Sequence, residues 1–210
     1  MNADTVRKWL CLASVSIHEQ RDYLTQLDAA IGDADHGVNM CRGFSKLTEV
    51  LKNLDGAPAP GHLLILAGGA FSGLGGASGV LWGAALKRAG RALGDVQHFD
   101  GKGLATILEE ALAGIVQLGA AEEGDKTMVD SLAPASRALR TMVESGATVA
   151  EAMAVTRDEA EKGMRATVPL RANKGRASYL GERSIGHQDP GATSTALILA
   201  ALQQTVPVGS

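Results

Sequence analysis

Aromatic side chains are scarce in this chain of 210 residues: Trp, Tyr and Phe make up 3% of it, although 45% of the residues are hydrophobic. The core must therefore be built mainly from aliphatic side chains, and no platform of aromatic rings for stacking nucleic-acid bases is indicated. Cysteine occurs only at Cys11 and Cys41, without metal-ligand spacing. A disulfide framework is not predicted, and a reducing compartment is expected.

Long hydrophobic runs and an excess of positive charge are also missing. The formal net charge of −3 gives no electrostatic reason to bind nucleic acid or an anionic membrane. No uninterrupted apolar run reaches the roughly 20 residues of a membrane-spanning helix. The amino-terminal residues also lack the apolar segment of a signal peptide. We therefore expect a cytoplasmic protein with neither nucleic acid nor membrane as a partner.

The hydrophobic residues that are present recur with the period of an α-helix, and strand-like alternation is nearly absent. The clearest stripe includes Leu104, Ile107, Leu108 and Ile115. The pattern predicts an all-α fold of eight or nine helices in one domain, residues 1–210, with short connections that favour antiparallel neighbours. Two helices are predicted before residue 32, and the others near 37–54, 62–72, 77–93, 100–118, 127–144, 148–168 and 192–204.

Residues 170–188 have no apolar period and carry several basic side chains among glycines. Long loops inside compact domains are often functional. Arg176 or Arg183 would be suited to stabilise the charge of a phosphoryl group. The alternative is a solvated loop with structural ion pairs.

Asp28, Asp33 and Asp35 bring three carboxylates into eight residues. Such groups repel one another, so a fold that gathers them is expected to neutralise them with a cation. Oxygen ligands favour a hard ion such as Mg²⁺, which keeps coordination positions open for phosphate oxygens. We expect Gly32 to end the preceding helix, and extended backbone after it to bring the acids together. The alternative is an Asp-rich turn without a metal.

Two further glycine-containing segments have both a structural and a functional interpretation. Residues 73–79 are either a turn between helices or a loop whose backbone N–H groups approach a phosphate. Near residue 125, Asp125 is favoured locally as the N-cap of a helix, and the alternative makes Met128 a wall of a nucleotide pocket. Residues 189–191 indicate a turn into the last helix.

Five short motifs follow one another along the chain: Gly-Asp-Ala-Asp-His-Gly (32–37), Gly-Gly-Ala-Ser-Gly (75–79), Gly-Asp-Lys-Thr-Met (124–128), Gly-Arg-Ala-Ser-Tyr-Leu-Gly-Glu-Arg-Ser-Ile-Gly-His (175–187) and Asp-Pro-Gly-Ala (189–192). In this order they resemble the DhaL family, the nucleotide-binding subunits of dihydroxyacetone kinases. The resemblance extends from Trp9 to the last predicted helix. It implies a closed barrel of eight antiparallel helices with a nucleotide at one end.

The resemblance also implies a set of site residues. Asp28, Asp33 and Asp35 would hold two Mg²⁺ ions that bind the phosphates of ADP or ATP, and Arg176 would stabilise charge in the transition state. The residues that the family pattern places around the nucleotide are His36, Gly37, Val38, Asn39, Ala77, Ser78, Gly119, Met128, Arg176, Asp189, Pro190 and Gly191.

In the split form of this family, which the length of the chain favours, ADP stays bound as a cofactor. A phosphotransferase-system protein, DhaM, would rephosphorylate it, and the γ-phosphoryl would pass to dihydroxyacetone on a separate DhaK subunit. The alternatives are a subunit of an ATP-exchanging kinase for another small ketose or tetrose, a nucleotide-sensing interaction module, and a Mg²⁺-dependent phosphohydrolase. A homodimer is compatible with the sequence.

Overall fold

A computed structural model describes residues 1–54, 56, 58–72 and 76–206. Within these ranges the chain forms nine α-helices and one 3₁₀ helix, and its only extended pairing is an isolated bridge between Asn2 and His98. No described helix is both long and apolar enough to cross a membrane. The helices are α1 (Ala3–Glu19), α2 (Arg21–Ile31), α3 (His36–Lys52), α4 (Pro60–Phe71), α5 (Ala77–Leu93), α6 (Gly101–Gly119), α7 (Val129–Glu144), α8 (Val149–Ala166), the 3₁₀ helix (Arg176–Ser184) and α9 (Pro190–Gln203).

The helices close into a barrel. From α3 to α9 each α-helix packs against the next, and α1 packs against both α3 and α9. The seam between the first and last helices contains a buried hydrogen bond, in which Trp9 Nε1 donates to the carbonyl oxygen of Ile198 at 2.9 Å. The predicted all-α barrel is therefore confirmed. In the described part of the chain the ring contains eight helices, α1 and α3 to α9, and α2 is the ninth, packed against α3.

Polar residues before the helices explain where several of them begin. Thr148 and Glu151 form a reciprocal capping box at the start of α8. Asp100 accepts a hydrogen bond from the backbone of Gly103 at the start of α6. Asp189 caps α9 just before Pro190, which occupies a first-turn position where its missing N–H costs nothing.

The core is aliphatic, as the composition predicts. One cluster of buried side chains draws on all nine α-helices, and its aromatic pair is an edge-to-face contact between Phe44 and Phe71. Close helix packing relies on glycine. A Cβ atom on Gly90 of α5 would lie 2.4 Å from the carbonyl oxygen of Gly61 on α4. Glycine at this position lets the two helix backbones approach closely.

Pro134 lies inside α7. Proline has no N–H, so it cannot bond to the carbonyl oxygen of Asp130 four residues earlier. Gly163 of α8 packs against that carbonyl, where an added Cβ would come within 2.0 Å of the oxygen. The absence of a side chain at Gly163 lets α8 approach α7 at this position.

The segment without apolar period has a structure of its own. It contains the 3₁₀ helix and a small apolar cluster, separate from the main core, of Ile31, Ala172 and Ala177 with Leu180 packed against them. Since Ile31 is the last residue of α2, this cluster seats the segment beside the end of the helix that carries Asp28.

Candidate functional site

A cavity of about 710 Å³ lies at one end of the barrel. The end of α2, the end of α6 and the beginnings of α3, α5, α7 and α9 line it, together with the start of the 3₁₀ helix. Helix N-termini carry free N–H groups and a partial positive charge. Several of them facing one cavity make an environment that favours an anion such as phosphate.

The three aspartates meet at the wall of this cavity. One carboxylate oxygen from each of Asp28, Asp33 and Asp35 can be chosen so that all lie within 4.8 Å of one another. Asp28 is buried, and its Oδ2 accepts hydrogen bonds from the backbone N–H groups of Asp35 (2.8 Å) and His36 (3.1 Å). The three oxygens therefore fit a hard cation in spacing and in chemistry.

The turn that gathers these carboxylates differs in part from the expected one. Gly32 ends α2, as predicted, and a Cβ atom there would lie 2.0 Å from Asp28 Oδ1, so only glycine leaves this carboxylate its place. The backbone beyond it is not extended, because Ala34 has a left-handed φ of 60°. A left-handed residue reverses the chain locally, so Asp35 comes back to Asp28 through a tight turn.

Arg176 forms an ion pair with one of the three acids. Its Nε lies 2.8 Å from Asp33 Oδ2, and its side chain is 68% exposed. Exposed ion pairs contribute about 0–1 kcal/mol. The guanidinium therefore compensates part of the negative charge of the cluster and can be released from it at little cost.

His36 connects three helices behind the cluster. It is buried, with Nδ1 3.0 Å from the hydroxyl of Ser78 and Nε2 3.0 Å from the hydroxyl of Ser194. Burial lowers the pKa of His36, against the opposing effects of Asp28 and Asp35. A neutral imidazole then donates to one hydroxyl and accepts from the other. Ser194 was not predicted, although it belongs to a polar run inside an otherwise apolar helix.

Most of the predicted nucleotide contacts line the cavity, and three of them do not. Gly37 faces α2, where an added Cβ would come within 2.1 Å of the carbonyl oxygen of Arg21. Val38 is exposed, and the side chain of Asn39 lies beside Gly76. Residues 73–75 of the predicted phosphate loop lie outside the described residues. The predicted contacts that line the cavity are His36, Ala77, Ser78, Gly119, Met128, Arg176, Asp189, Pro190 and Gly191.

The far side of the cavity is apolar and includes residues that the sequence analysis did not select. They are Val80, Leu81, Ile115, Leu118, Ala121 and Val129, beside the predicted Gly119 and Met128. Leu118 is 53% exposed. It continues the apolar stripe of α6 beyond Ile115 by three residues, and this continuation is the signal that could have identified it. A flat apolar group attached to a phosphate would fit between this wall and the acids.

Asp125 is not the N-cap that local sequence favoured. Helix α7 begins at Val129, after Met128, and Asp125 Oδ2 instead accepts from the backbone N–H of Glu122 at 2.9 Å. The turn before α7 is held by Asp130, whose carboxylate accepts from the N–H groups of Gly124 and Thr127. Asp130, inside α7, thus makes the backbone contacts that Asp125 was expected to make before the helix.

Asp189 is a helix cap in an unusual electrostatic setting. Its Oδ2 accepts from the backbone N–H of Ala192 at 2.6 Å. Burial raises the pKa of Asp189 to about 7, with a smaller contribution in the same direction from Asp130. The hydrogen bond from Ala192 and the charge of Lys126 only partly offset this increase. Asp189 therefore gains and loses its proton near neutral pH, at the edge of the cavity.

Comparison with proteins of known sequence and structure agrees with this geometry. The PEP-dependent dihydroxyacetone kinase ADP-binding subunit DhaL of Escherichia coli (strain K12) is 42% identical over 195 residues, or 92% of each chain. An L-erythrulose kinase of Pectobacterium atrosepticum is 41% identical over 184 residues, which cover 85% of this chain and 31% of that protein.

The fold is shared with a solved structure as well. The crystal structure of the dihydroxyacetone kinase of C. freundii in its native form superimposes with a TM-score of 0.74 at 25% identity. The match covers 98% of this chain and 35% of that longer one. A model of the DAK2 domain family matches residues 30–204. With the barrel, the acidic cluster and these matches taken together, the chain belongs to the DAK2 domain family.

Proposed function

We propose that this chain is the nucleotide-carrying subunit of a dihydroxyacetone kinase. The observation that carries the proposal is the acidic cluster, which opens into a cavity with helix N-termini on one side and an apolar wall on the other. Such a cavity suits a nucleoside diphosphate or triphosphate, with its phosphates at the acids and its base at the wall. The similarity to DhaL over 92% of both chains supports the assignment.

Asp28, Asp33 and Asp35 would hold two Mg²⁺ ions. The bound ions would neutralise the phosphate oxygens and thereby relieve their repulsion from the three carboxylates. The first turns of α5, at Ala77 and Ser78, and of α9 would donate N–H groups to phosphate oxygens. The wall that contains Met128 and Leu118 would exclude water from the base.

Within the kinase, the γ-phosphoryl group of bound ATP would pass to a hydroxyl oxygen of dihydroxyacetone held on a DhaK-type subunit. The bond between this phosphorus and the β,γ-bridging oxygen would break, the hydroxyl would release its proton on the side of the acceptor subunit, and ADP would stay on the present chain. A DhaM-type protein would then restore ATP by transferring its own phosphoryl group to that ADP. Phosphoryl transfer depends chiefly on positioning and charge neutralisation, which are the properties that this cavity offers.

Arg176 would stabilise the charge that develops during transfer. We predict that Arg176→Ala lowers the rate of transfer on the order of 10²–10³-fold, as the loss of a preorganised charge stabiliser does. The affinity for Mg-ADP should change little, because the ion pair with Asp33 is exposed. Arg183→Ala, in the same segment but away from the cavity lining, is the matched control. Full transfer by Arg176→Ala at saturating partner would remove this role.

The proposal is tested by purifying the chain and measuring the mass of any nucleotide that accompanies it. Near-stoichiometric ADP supports the cofactor form, and an empty site that ATP fills reversibly supports an exchanging kinase. The chain is then incubated with ATP alone and with ATP, dihydroxyacetone and a DhaK subunit. Transfer only in the complete mixture supports the kinase. Rapid phosphate release from ATP alone would indicate a phosphohydrolase, and stable binding with neither outcome would indicate a nucleotide sensor.

A second acceptor class is favoured by one observation, the 41% identity to an L-erythrulose kinase. The acidic cluster and the cavity would serve a four-carbon ketose equally, because the acceptor lies on another subunit or domain. Comparing phosphorylation of dihydroxyacetone and erythrulose with each type of acceptor subunit decides between them. A rate that follows the acceptor subunit shows that the present chain does not choose the substrate.

A further inference from the structure

Lys126 is a buried lysine that the proposed reaction does not use. Its side chain is 1% exposed, yet its ammonium group is surrounded by oxygen atoms. Nζ donates to the carbonyl oxygens of Thr167 (2.7 Å) and Leu170 (3.1 Å), and a third carbonyl, of Val168, lies at 3.4 Å. It also donates to the carbonyl of His187. Burying an ammonium group is costly unless it is fully hydrogen-bonded, and these carbonyls meet that requirement.

The carbonyls come from the two ends of one stretch of chain, residues 167–187, which we name the cap segment. Thr167, Val168 and Leu170 precede the 3₁₀ helix and His187 follows it, so one ammonium group ties the two ends together. The N–H of Gly186 also donates to the carbonyl of Val168 at 2.8 Å. The cap segment is thus closed at its base, and it carries Arg176.

Lys126 is itself held firmly. Its backbone lies in the left-handed region with φ of 62°, an uncommon conformation for a residue other than glycine. Asp130 fixes the turn on both sides of it through the N–H groups of Gly124 and Thr127. Next to it, the carbonyl of Asp125 accepts from the N–H of Asn173 in the cap segment. The cap segment is therefore attached to the turn that leads into the apolar wall.

We propose that Lys126 is a positioning residue that fixes the cap segment and thereby aims Arg176 at the nucleotide phosphates. The inference rests on the proposed function for the role of Arg176. The role of Lys126 in holding the cap segment rests on contacts that are independent of it. The hydrogen bonds of Nζ all go to backbone carbonyls of the cap segment, so through these contacts Lys126 acts on the reaction by way of the segment that it holds.

The first test is proteolysis of the purified chain without nucleotide. In Lys126→Met the carbonyls lose their donor, so trypsin should cut after Arg176 and Arg183 at least about tenfold faster than in the unchanged chain. Lys8→Met, an exposed lysine of α1, is the matched control and should leave cleavage unchanged. Equal cleavage rates in Lys126→Met and the unchanged chain would overturn the proposal.

The second test is a double-mutant cycle on phosphoryl transfer with acceptor subunit and dihydroxyacetone. Lys126→Met should lower turnover by about 10²-fold, since small displacements of a reacting group have effects of this size, while the affinity for Mg-ADP stays within about threefold. Lys126→Met should cause no further loss of turnover when Arg176 is already alanine, because both changes remove the contribution of Arg176 to transfer. Turnover losses that add in the double variant would contradict the proposal. A loss of Mg-ADP affinity equal to the loss of turnover would also contradict it.

Lys126→Arg provides a second variant if the methionine variant does not fold. It keeps the charge but not the compact ammonium group, so cleavage and turnover should fall between those of the unchanged and Met variants. Unchanged cleavage and turnover in a folded arginine variant would overturn the proposal. Absence of transfer in the unchanged chain would refute the proposed function, while the proteolysis comparison would still decide whether Lys126 holds the cap segment.

Discussion

Asp28 has a different environment from the other two acids of the cluster. It is buried and accepts two backbone hydrogen bonds, whereas Asp33 is partly exposed and faces Arg176. An asparagine at position 28 would keep an oxygen for the N–H groups of Asp35 and His36, while the charge is lost and the other oxygen becomes an NH2 group. This separates the structural contribution of Asp28 from its electrostatic one.

We therefore predict that Asp28→Asn weakens Mg-dependent binding of ADP by roughly 10²-fold or more, since even outer-shell changes at metal sites cost 10–100-fold. Stability measured in EDTA should change by less than about 1 kcal/mol, because the hydrogen bonds remain. Isothermal titration with and without Mg²⁺ measures the first effect, and urea unfolding the second. Asp95→Asn is the control, and equal binding by both variants would remove Asp28 from the metal site.

Asp189 gives stability a pH dependence of identifiable sign. Its pKa is about 7 in the folded chain and close to 3.8 when unfolded, so between these values only the folded state keeps the proton. Stability should therefore fall as pH rises through this window, and the loss is complete above about pH 7. Each unit of pKa difference corresponds to about 1.4 kcal/mol.

We predict that Asp189→Asn, which still caps α9, flattens the pH profile of unfolding free energy between pH 4 and 7 in the absence of metal. Asp100, which caps α6, gives stability the opposite pH dependence, because the backbone hydrogen bond from Gly103 lowers the pKa of Asp100. Its contribution to stability is present above the unfolded pKa and is lost as pH falls. Asp100→Asn should therefore leave the slope between pH 4 and 7 unchanged and alter stability, with the opposite sign, only below about pH 4. Equal changes of slope between pH 4 and 7 in the two variants would contradict the assignment.

Single residues differ in how far sequence could identify them. The acidic cluster was predictable because its three carboxylates lie within eight residues of the chain. The contact of His36 with Ser194 joins positions 158 residues apart, and that of Lys126 with His187 spans 61. No local pattern encodes such pairings, so Lys126 was interpreted only as part of the motif at residues 124–128.

At the scale of elements, the close packing of α4 on α5 requires glycine at the contact, and this requirement can be tested. We predict that Gly90→Ala destabilises the chain by about 1–3 kcal/mol, because the added methyl group would press on Gly61 and on the side chain of Ile65. Gly69 of α4 has open space beside it, and Gly69→Ala should stabilise by about 0.5–1 kcal/mol. Denaturant unfolding of the two variants measures both, and a stabilising Gly90→Ala would contradict the close approach.

The helices themselves were largely predictable. Periodicity placed α5 and α6 within a residue of their observed bounds, since each presents one apolar stripe to the core. It failed where tertiary contacts override local signals. Asp125 looks like a cap, but the turn before α7 is held by Asp130. Residues 170–188 contain the 3₁₀ helix, which packs on an apolar cluster too small to produce a period.

At the scale of the whole molecule, occupancy of the cavity should set apparent stability. Ligand that binds only the folded state at 100 times its Kd adds about 2.7 kcal/mol. For a chain of this length each kcal/mol raises Tm by about 2–4 °C. We predict a rise of roughly 5–10 °C with Mg-ADP, removed by EDTA and absent in Asp28→Asn. Calorimetry measures it, and an equal rise with ADP in EDTA would exclude a metal-mediated contact.

The closed barrel was expected from resemblance and not from periodicity. Amphipathic stripes indicate that helices pack, but not that α1 returns to α9, because ring closure depends on contacts between the two ends of the chain. The cavity follows from closure, since it forms where alternate helix ends meet. Its position at one end of the barrel could therefore be predicted only by analogy with proteins of the same fold.

The hydrogen bond from Trp9 to Ile198 has a practical consequence. The indole is buried in the seam between the first and last helices, and the chain has only one other tryptophan, Trp82, within α5. Replacing Trp82 by phenylalanine would leave a single intrinsic fluorophore at the place where the ring closes. A red shift of its emission would then report opening of that seam, separately from events at the nucleotide end.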